Sequence, residues 1–161
     1  MKKIILIGFA TSGKGTVGRL LAEKLGAEFV DTDAEIEREC NATVQQIFDT
    51  FGEEYFRQKE NQLLLSLVGK RDTVIACGGG SVAADSFSLF AEDSVVIWLT
   101  ATATTVKSRL GGSPRPLFDG LDEVSLQQFI NRRAPLYERY AKVAVCTDGL
   151  TPEQIVEKIL F

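Results

Sequence analysis

Ile4, Ile5, Leu6 and Ile7 form an unbroken apolar run that ends at Gly8. A strand with one face in water alternates apolar and polar residues, so this partly β-branched run predicts a strand buried on both faces of a parallel sheet. The period then changes. Leu20, Leu21 and Leu25 fall at helical spacing before Gly26, a residue suited to the left-handed end of a helix. The first unit therefore reads as strand, glycine loop, helix. Short β-rich runs recur at Glu28–Val30, Thr73–Cys77, Val95–Leu99 and Val143–Cys146, separated mostly by stretches of helical periodicity. Such alternation predicts a three-layer α/β fold with helices on both sides of a sheet.

Two segments are longer than minimal connections require. Thr43 to Leu67 carries helical periodicity broken at Gly52, between the second and third predicted strands. Leu110 to Ser125 holds three glycines, two prolines and few core residues, and reads as a mobile surface loop. No repeat or linker divides the chain, so residues 1–161 are expected to form one domain, large enough to bury roughly 70% of its unfolded surface.

Composition narrows the chemistry. With 45% apolar and 25% charged residues the chain reads as a soluble globular protein, and no apolar run is long enough to cross a bilayer. The opening residues lack the length and the small-residue cleavage site of a signal peptide, which points to the cytoplasm. A net charge of −4 offers nucleic acid no general attraction, so any bound anion must be held by a local cluster of basic groups. Cys40, Cys77 and Cys146 lack paired metal or disulfide spacing and are expected as buried free thiols. The chain contains no histidine, so a general base near neutral pH is expected to be a carboxylate.

Gly8 to Thr16 reads Gly-Phe-Ala-Thr-Ser-Gly-Lys-Gly-Thr, which follows the phosphate-binding-loop pattern through Lys14. Glycines let successive backbone amides turn toward phosphate oxygens, the helix N-terminus adds positive potential, and Lys14 supplies a full charge. An ordinary glycine turn is the competing reading, and the strand-to-helix setting argues against it. The pattern departs at Gly15, where a Ser or Thr hydroxyl normally meets magnesium; Thr16 comes one residue late.

Asp31-Thr32-Asp33 follows the second predicted strand, at the sheet edge where such folds bind ligands. Asp31 is suited to organise magnesium through water, and Asp33 to orient a hydroxyl and accept its proton. Capping of a helix beginning at Ala34 is the alternative role for Asp33. Arg57 has Glu53 four residues before it and Glu60 three after, which serves equally for a ligand grip or a solvated ion-pair ladder. Gly78, Gly79 and Gly80 close the third strand and permit close approach to their backbone amides; a simple turn is the alternative, though one glycine would serve it. Arg109, the Arg115-Pro116-Leu117 run and the Arg133-Ala134-Pro135-Leu136-Tyr137 run complete the pattern.

In order and spacing, these motifs resemble the shikimate kinase family across essentially the whole chain. The resemblance implies the nucleoside monophosphate kinase-like fold, a five-stranded parallel sheet of order 2-3-1-4-5. It implies transfer of the γ-phosphoryl of ATP to the 3-hydroxyl of shikimate, with Mg2+ and with no nucleic-acid or membrane partner, and we expect a monomer. The helical insert from about 31 to 61 is then the shikimate-binding segment, and the loop from about 111 to 123 a lid over ATP. Thr11, Ser12, Gly13, Lys14, Gly15 and Thr16 are the implied nucleotide loop, with Arg109 and Pro152 flanking adenine. Asp33 is implied as the catalytic group, aided by Lys14 and Arg115 at the transferring phosphoryl. Arg57, Arg133 and Gly78 to Gly80 are implied to hold shikimate, and Asp31 to serve the metal. Family spacing alone selects Arg133 over Arg132.

Sugar-acid and nucleotide kinases share the fold and loop but not the acceptor motifs. A nucleotide-dependent switch finds support only in Asp49-Thr50-Phe51-Gly52, which lies between predicted helices and has no base-reading motif after it.

Overall fold

Strand β1 (Ile4–Ile7) lies at the centre of a five-stranded parallel sheet. In the computed structural model, which describes residues 1–9, 11–110 and 121–161, its neighbours are β3 (Thr73–Ala76) and β4 (Val95–Thr100). Strands β2 (Glu28–Asp31) and β5 (Val143–Cys146) form the edges, giving the order β2-β3-β1-β4-β5. The expected strands thus form in the expected order, with Asp31 and Thr100 added at strand ends and Cys77 left just outside β3.

The side-chain alternation of a strand divides β1 between two cores. Ile5 and Ile7 join Leu64, Phe87, Phe90 and Tyr137 on one face. Those residues come from α4 (Glu53–Ser66), α5 (Phe87–Ala91) and α7 (Glu123–Tyr140). Leu6 joins Val17 and Leu21 of α1 (Lys14–Leu25) and Ile155 and Val156 of α8 (Pro152–Leu160) on the other. Burial on both faces is why β1 carries no polar residue.

Helices α2 (Thr32–Cys40), α3 (Val44–Phe51) and α4 occupy the long connection between β2 and β3. They bury a small core of their own around Ile36, Ile47 and Phe56. Thr43 and Gln46 close a capping box at the start of α3, and Gly52 breaks the chain between α3 and α4 as its spacing predicted. Asp49 to Phe51 lie inside α3, which removes the metal-sensing reading of that motif. Helix α6 (Ala103–Leu110) packs with α7. Arg115 and most of the expected lid fall within 111–120, outside the described residues.

The cysteine expectation needs correcting. Cys77 is buried, but Cys40 is half-buried and Cys146 exposed, because Cys146 lies on the open edge strand β5. Among the described residues no helix is long and apolar enough to cross a membrane.

Gly18 sets the distance between α1 and β2. A methyl group there would stand 2.6 Å from the Phe29 ring and 3.3 Å from Leu6. Gly18→Ala is therefore expected to destabilise the fold by about 1–3 kcal/mol through overpacking, even though alanine favours a helix by ~1 kcal/mol. Urea denaturation measures the balance; a variant as stable as the parent would contradict this packing account.

Candidate active site

The glycine loop leaves β1 at Gly8, where the fold permits no side chain. A Cβ on Gly8 would meet the Leu99 carbonyl oxygen at 2.4 Å, and its φ of 152° disfavours other residues. The loop then passes through left-handed conformations at Thr11 (φ 62°) and Gly13 (φ 93°) before α1 begins at Lys14. No side chain caps α1, so its first amides remain available to an anion. Lys14 is buried, its Nζ donating to the Gly8 and Phe9 carbonyls at 2.7 and 3.0 Å. The hydroxyls of Thr11 and Ser12 are buried without a hydrogen-bond partner among the described residues. Orphaned hydroxyls, an uncapped helix end and a lysine together fit the donor demand of a polyphosphate.

Two carboxylates lie at the C-terminal edge of the sheet, Asp31 beside the glycine loop at Gly15 and Asp33 against Gly78. Asp31 ends β2 and caps α2, its Oδ1 accepting from the Ala34 amide at 3.1 Å. Its Oδ2 lies 3.4 Å from the point where a side chain at Gly15 would begin. The suggestion that Asp33 caps a helix starting at Ala34 is thereby corrected: α2 starts at Thr32, Asp31 is its cap, and Asp33 stands in its first turn. Among the described residues no group of three or more acidic, cysteine or histidine side chains forms a metal cage. The Asp31 carboxylate beside Gly15 fits Mg2+, which binds through one or two carboxylates, substrate phosphates and waters.

Gly78 and Gly80 bring Asp33 and Arg57 against one loop. A Cβ on Gly78 would stand 2.5 Å from Asp33 Oδ1, and one on Gly80 would stand 2.6 Å from Arg57 Nη1. Bare backbone at both positions lets a carboxylate and a guanidinium close on one loop. The Gly78 amide donates to Thr32 Oγ1 at 3.0 Å, tying the end of β3 to the end of β2.

Arg57 is not a solvated ladder residue. Its Nη1 donates to Glu60 Oε1 at 3.0 Å, and Glu60 is 1% exposed and also accepts from Ser81 Oγ at 3.0 Å. The exposed Glu53 is a looser partner at 3.5 Å. A buried carboxylate with two donors fixes the guanidinium in place. On α7, Arg133 lies over the Phe9 ring at 5.6 Å, next to the glycine loop. Arg132 is exposed and lies over Phe129 instead, which separates the two neighbours. One turn on from Arg133, Tyr137 donates its hydroxyl to the Gly79 carbonyl at 2.6 Å. Burial pushes the Tyr137 phenol up to about 12, against the lowering influence of Arg133. Burial also raises the Cys77 thiol, aided by the charge of Glu60, so it stays a neutral core group.

Arg109 joins the glycine loop to the segment after β5. It donates to the Thr11 carbonyl at 2.8 Å and to Thr147 Oγ1 at 3.3 Å. That segment leads to Thr151, which caps α8 in a second capping box with Pro152 as the first helical residue. Thr16 is exposed on α1. Sequence reasoning named Glu60 only as an ion-pair neighbour of Arg57 and assigned no role to Thr32, Ser81 or Tyr137; Thr32 and Tyr137 stood inside quoted motifs, and Ser81 directly follows the triple glycine.

The shikimate kinase family model matches residues 10–161. A shikimate kinase of Persephonella marina is 40% identical, with 99% of this chain and 98% of that protein covered. One from Thermodesulfovibrio yellowstonii is 39% identical, covering 99% and 94%. Among solved structures, the Acinetobacter baumannii shikimate kinase in complex with shikimate is 33% identical and superposes with a TM-score of 0.92, covering 99% of this chain and 91% of that one. A gluconokinase of Sinorhizobium meliloti, 20% identical with a TM-score of 0.63 and covering 99% and 89%, shares the fold alone. A family model matched over residues 10–161 and relatives about 40% identical along nearly their whole length show that the chain belongs to the shikimate kinases.

Proposed function

We propose that this member of the shikimate kinase family transfers the γ-phosphoryl of ATP to the 3-hydroxyl of shikimate with Asp33 as the base and Arg57 and Arg133 as the carboxylate grip. The observation that carries the reading is the shared glycine loop, whose two ends lie against Asp33 and Arg57. An acceptor bearing both a hydroxyl and a carboxylate matches groups so arranged. The relative solved with shikimate supports the same acceptor.

In the reaction, the 3-oxygen forms a bond to the γ-phosphorus as the bond from that phosphorus to the β–γ bridging oxygen breaks. ADP leaves, and the hydroxyl proton passes to Asp33. The guanidinium forks of Arg57 and Arg133 suit a carboxylate, and the backbone of Gly78 to Gly80 lines the ring. Thr11, Ser12, Gly13, Gly15 and Thr16 belong to the nucleotide loop, with Lys14 and Arg115 at the transferring phosphoryl; the motif alone supports Arg115. Arg109 and Pro152 border the adenine side. Closure of the loop from about 111 to 123 would exclude water, which otherwise competes as a nucleophile. We read the working unit as a monomer and its compartment as the cytoplasm.

When bound, Mg2+ would offset the charge of the outer phosphates. Asp31 is the residue that would hold it, through water. Gly15 contributes no hydroxyl, but the space beside it admits one: a Cβ there makes ordinary contact with Asp31 Oδ2. Gly15→Ser is therefore expected to lower the Mg2+ concentration needed for half-maximal ADP binding by roughly five-fold, one neutral ligand contributing ~1 kcal/mol. Asp31→Asn, which keeps a good helix cap, is expected to raise it. Calorimetric titration of ADP at varied Mg2+ measures both, and an unchanged requirement in Asp31→Asn would remove Asp31 from the metal shell.

A crystal structure with ADP, Mg2+ and shikimate tests the whole assignment. The carboxylate is expected between Arg57 and Arg133 and the 3-hydroxyl at Asp33. A carboxylate bound away from both arginines would overturn it.

A further inference from the structure

The triple-glycine loop has two separate anchors. At one end the Gly78 amide is fixed by the buried hydroxyl of Thr32, beside Asp33. In the middle the Gly79 carbonyl is fixed by the Tyr137 hydroxyl at 2.6 Å. These anchors come from different elements: Thr32 begins α2, whereas Tyr137 lies in the last turn of α7.

Tyr137 is well placed to transmit position. Its ring is 1% exposed and packs against Trp98 with centroids 5.6 Å apart, so the phenol has little freedom to swing. Arg133 precedes it by four residues, on the same face of α7. A trans peptide is planar, so holding the Gly79 carbonyl also fixes the direction of the Gly80 amide. Gly80 is the residue against which the Arg57 guanidinium lies.

We propose that Tyr137 is a positioning residue whose hydroxyl couples Arg133 on α7 to the Gly79–Gly80 backbone and hence to Arg57, setting the two guanidiniums at the separation one carboxylate requires. The proposal rests on reading Arg57 and Arg133 as the carboxylate grip. A buried tyrosine that only satisfies its own hydroxyl is the alternative, and it makes a different prediction. Loss of such a tyrosine lowers stability without distinguishing the substrates. Loss of a positioning residue weakens the carboxylate end of the acceptor site and spares the Asp33 end, because Thr32 holds that end independently.

Tyr137→Phe retains the ring and removes the bond. The expected result is a KM for shikimate raised about five- to ten-fold, the loss of roughly one net hydrogen bond's worth of alignment. The KM for ATP and kcat should stay within about two-fold of the parent, since no group facing the nucleotide or the reacting hydroxyl is altered. An unchanged KM for shikimate, or equal losses for both substrates, would overturn the proposal. Arg133→Ala in the same assay separates the two levels of inference. If Arg133→Ala raises the shikimate KM and Tyr137→Phe does not, the coupling fails while the grip stands. If neither variant changes it, the grip itself fails and the coupling with it.

Discussion

Replacing Asp33 with asparagine is expected to lower kcat ~10²–10⁴-fold, the usual contribution of a positioned general base. Asparagine retains the size and hydrogen-bonding reach of aspartate, so the acceptor hydroxyl can still be oriented; what it lacks is a basic oxygen to take the proton. The fold should be little affected. Asp33 is not the cap of α2, a role that belongs to Asp31, and an acid in the first helical turn contributes only ~0.3–1 kcal/mol through the helix dipole. ATP binding should survive, because Lys14 and the glycine loop are untouched. Steady-state turnover together with ADP calorimetry checks this, and near-normal turnover would leave Asp33 with no role in the chemistry.

Removing either arginine should weaken shikimate binding by ~10–150-fold, since a hydrogen bond to a charged group is worth about 1.5–3 kcal/mol. The two variants differ in stability. Arg57→Ala leaves Glu60, 1% exposed, with only Ser81 as a hydrogen-bond donor among the described residues. We expect a stability loss of about 2–3 kcal/mol, at or below the lower end for breaking a buried pair because the Arg57 side is partly open to water. Arg133→Ala removes a guanidinium lying over the Phe9 ring, a contact worth about 0.5–2 kcal/mol, and is expected to lose affinity with a smaller loss of stability. Urea denaturation beside shikimate and ATP titrations distinguishes them. Equal losses of both ligands in Arg133→Ala would indicate a folding defect in place of a lost grip.

The local physics of the chain made β1, the glycine loop and α1 legible, because burial of both strand faces and the Gly8 turn each leave a mark within a few residues. Sheet order did not come from periodicity; the family resemblance supplied it. Gly52 separated α3 from α4 as expected, since a break in helical spacing is again local. Arg57 was ambiguous for a physical reason: glutamates at three and four residues' distance look alike whether the helix face is wet or buried. Only the packing of Glu60 beneath Ser81 resolves that. Asp33 was similarly divided between chemistry and capping, and the start of α2 at Thr32 gives the cap to its neighbour. The Thr32–Gly78 and Tyr137–Gly79 bonds join positions 46 and 58 residues apart. No pattern along one segment reports such a contact, and Tyr137 on its own reads as core.

Gly15 is the point where this chain departs from the usual loop, and the close approach of Asp31 Oδ2 gives the departure a physical setting. With no hydroxyl at that position, the proposed metal binding would fall more heavily on the carboxylate, the nucleotide and water.

The central claim is best tested by incubating the purified protein with MgATP and, separately, shikimate, gluconate and each of four nucleoside monophosphates, following products by phosphorus NMR. The account predicts ADP and a phosphate ester at the 3-oxygen of shikimate, with the other acceptors left essentially unmodified. Phosphorylation of gluconate or a nucleotide, with shikimate unchanged, would contradict it.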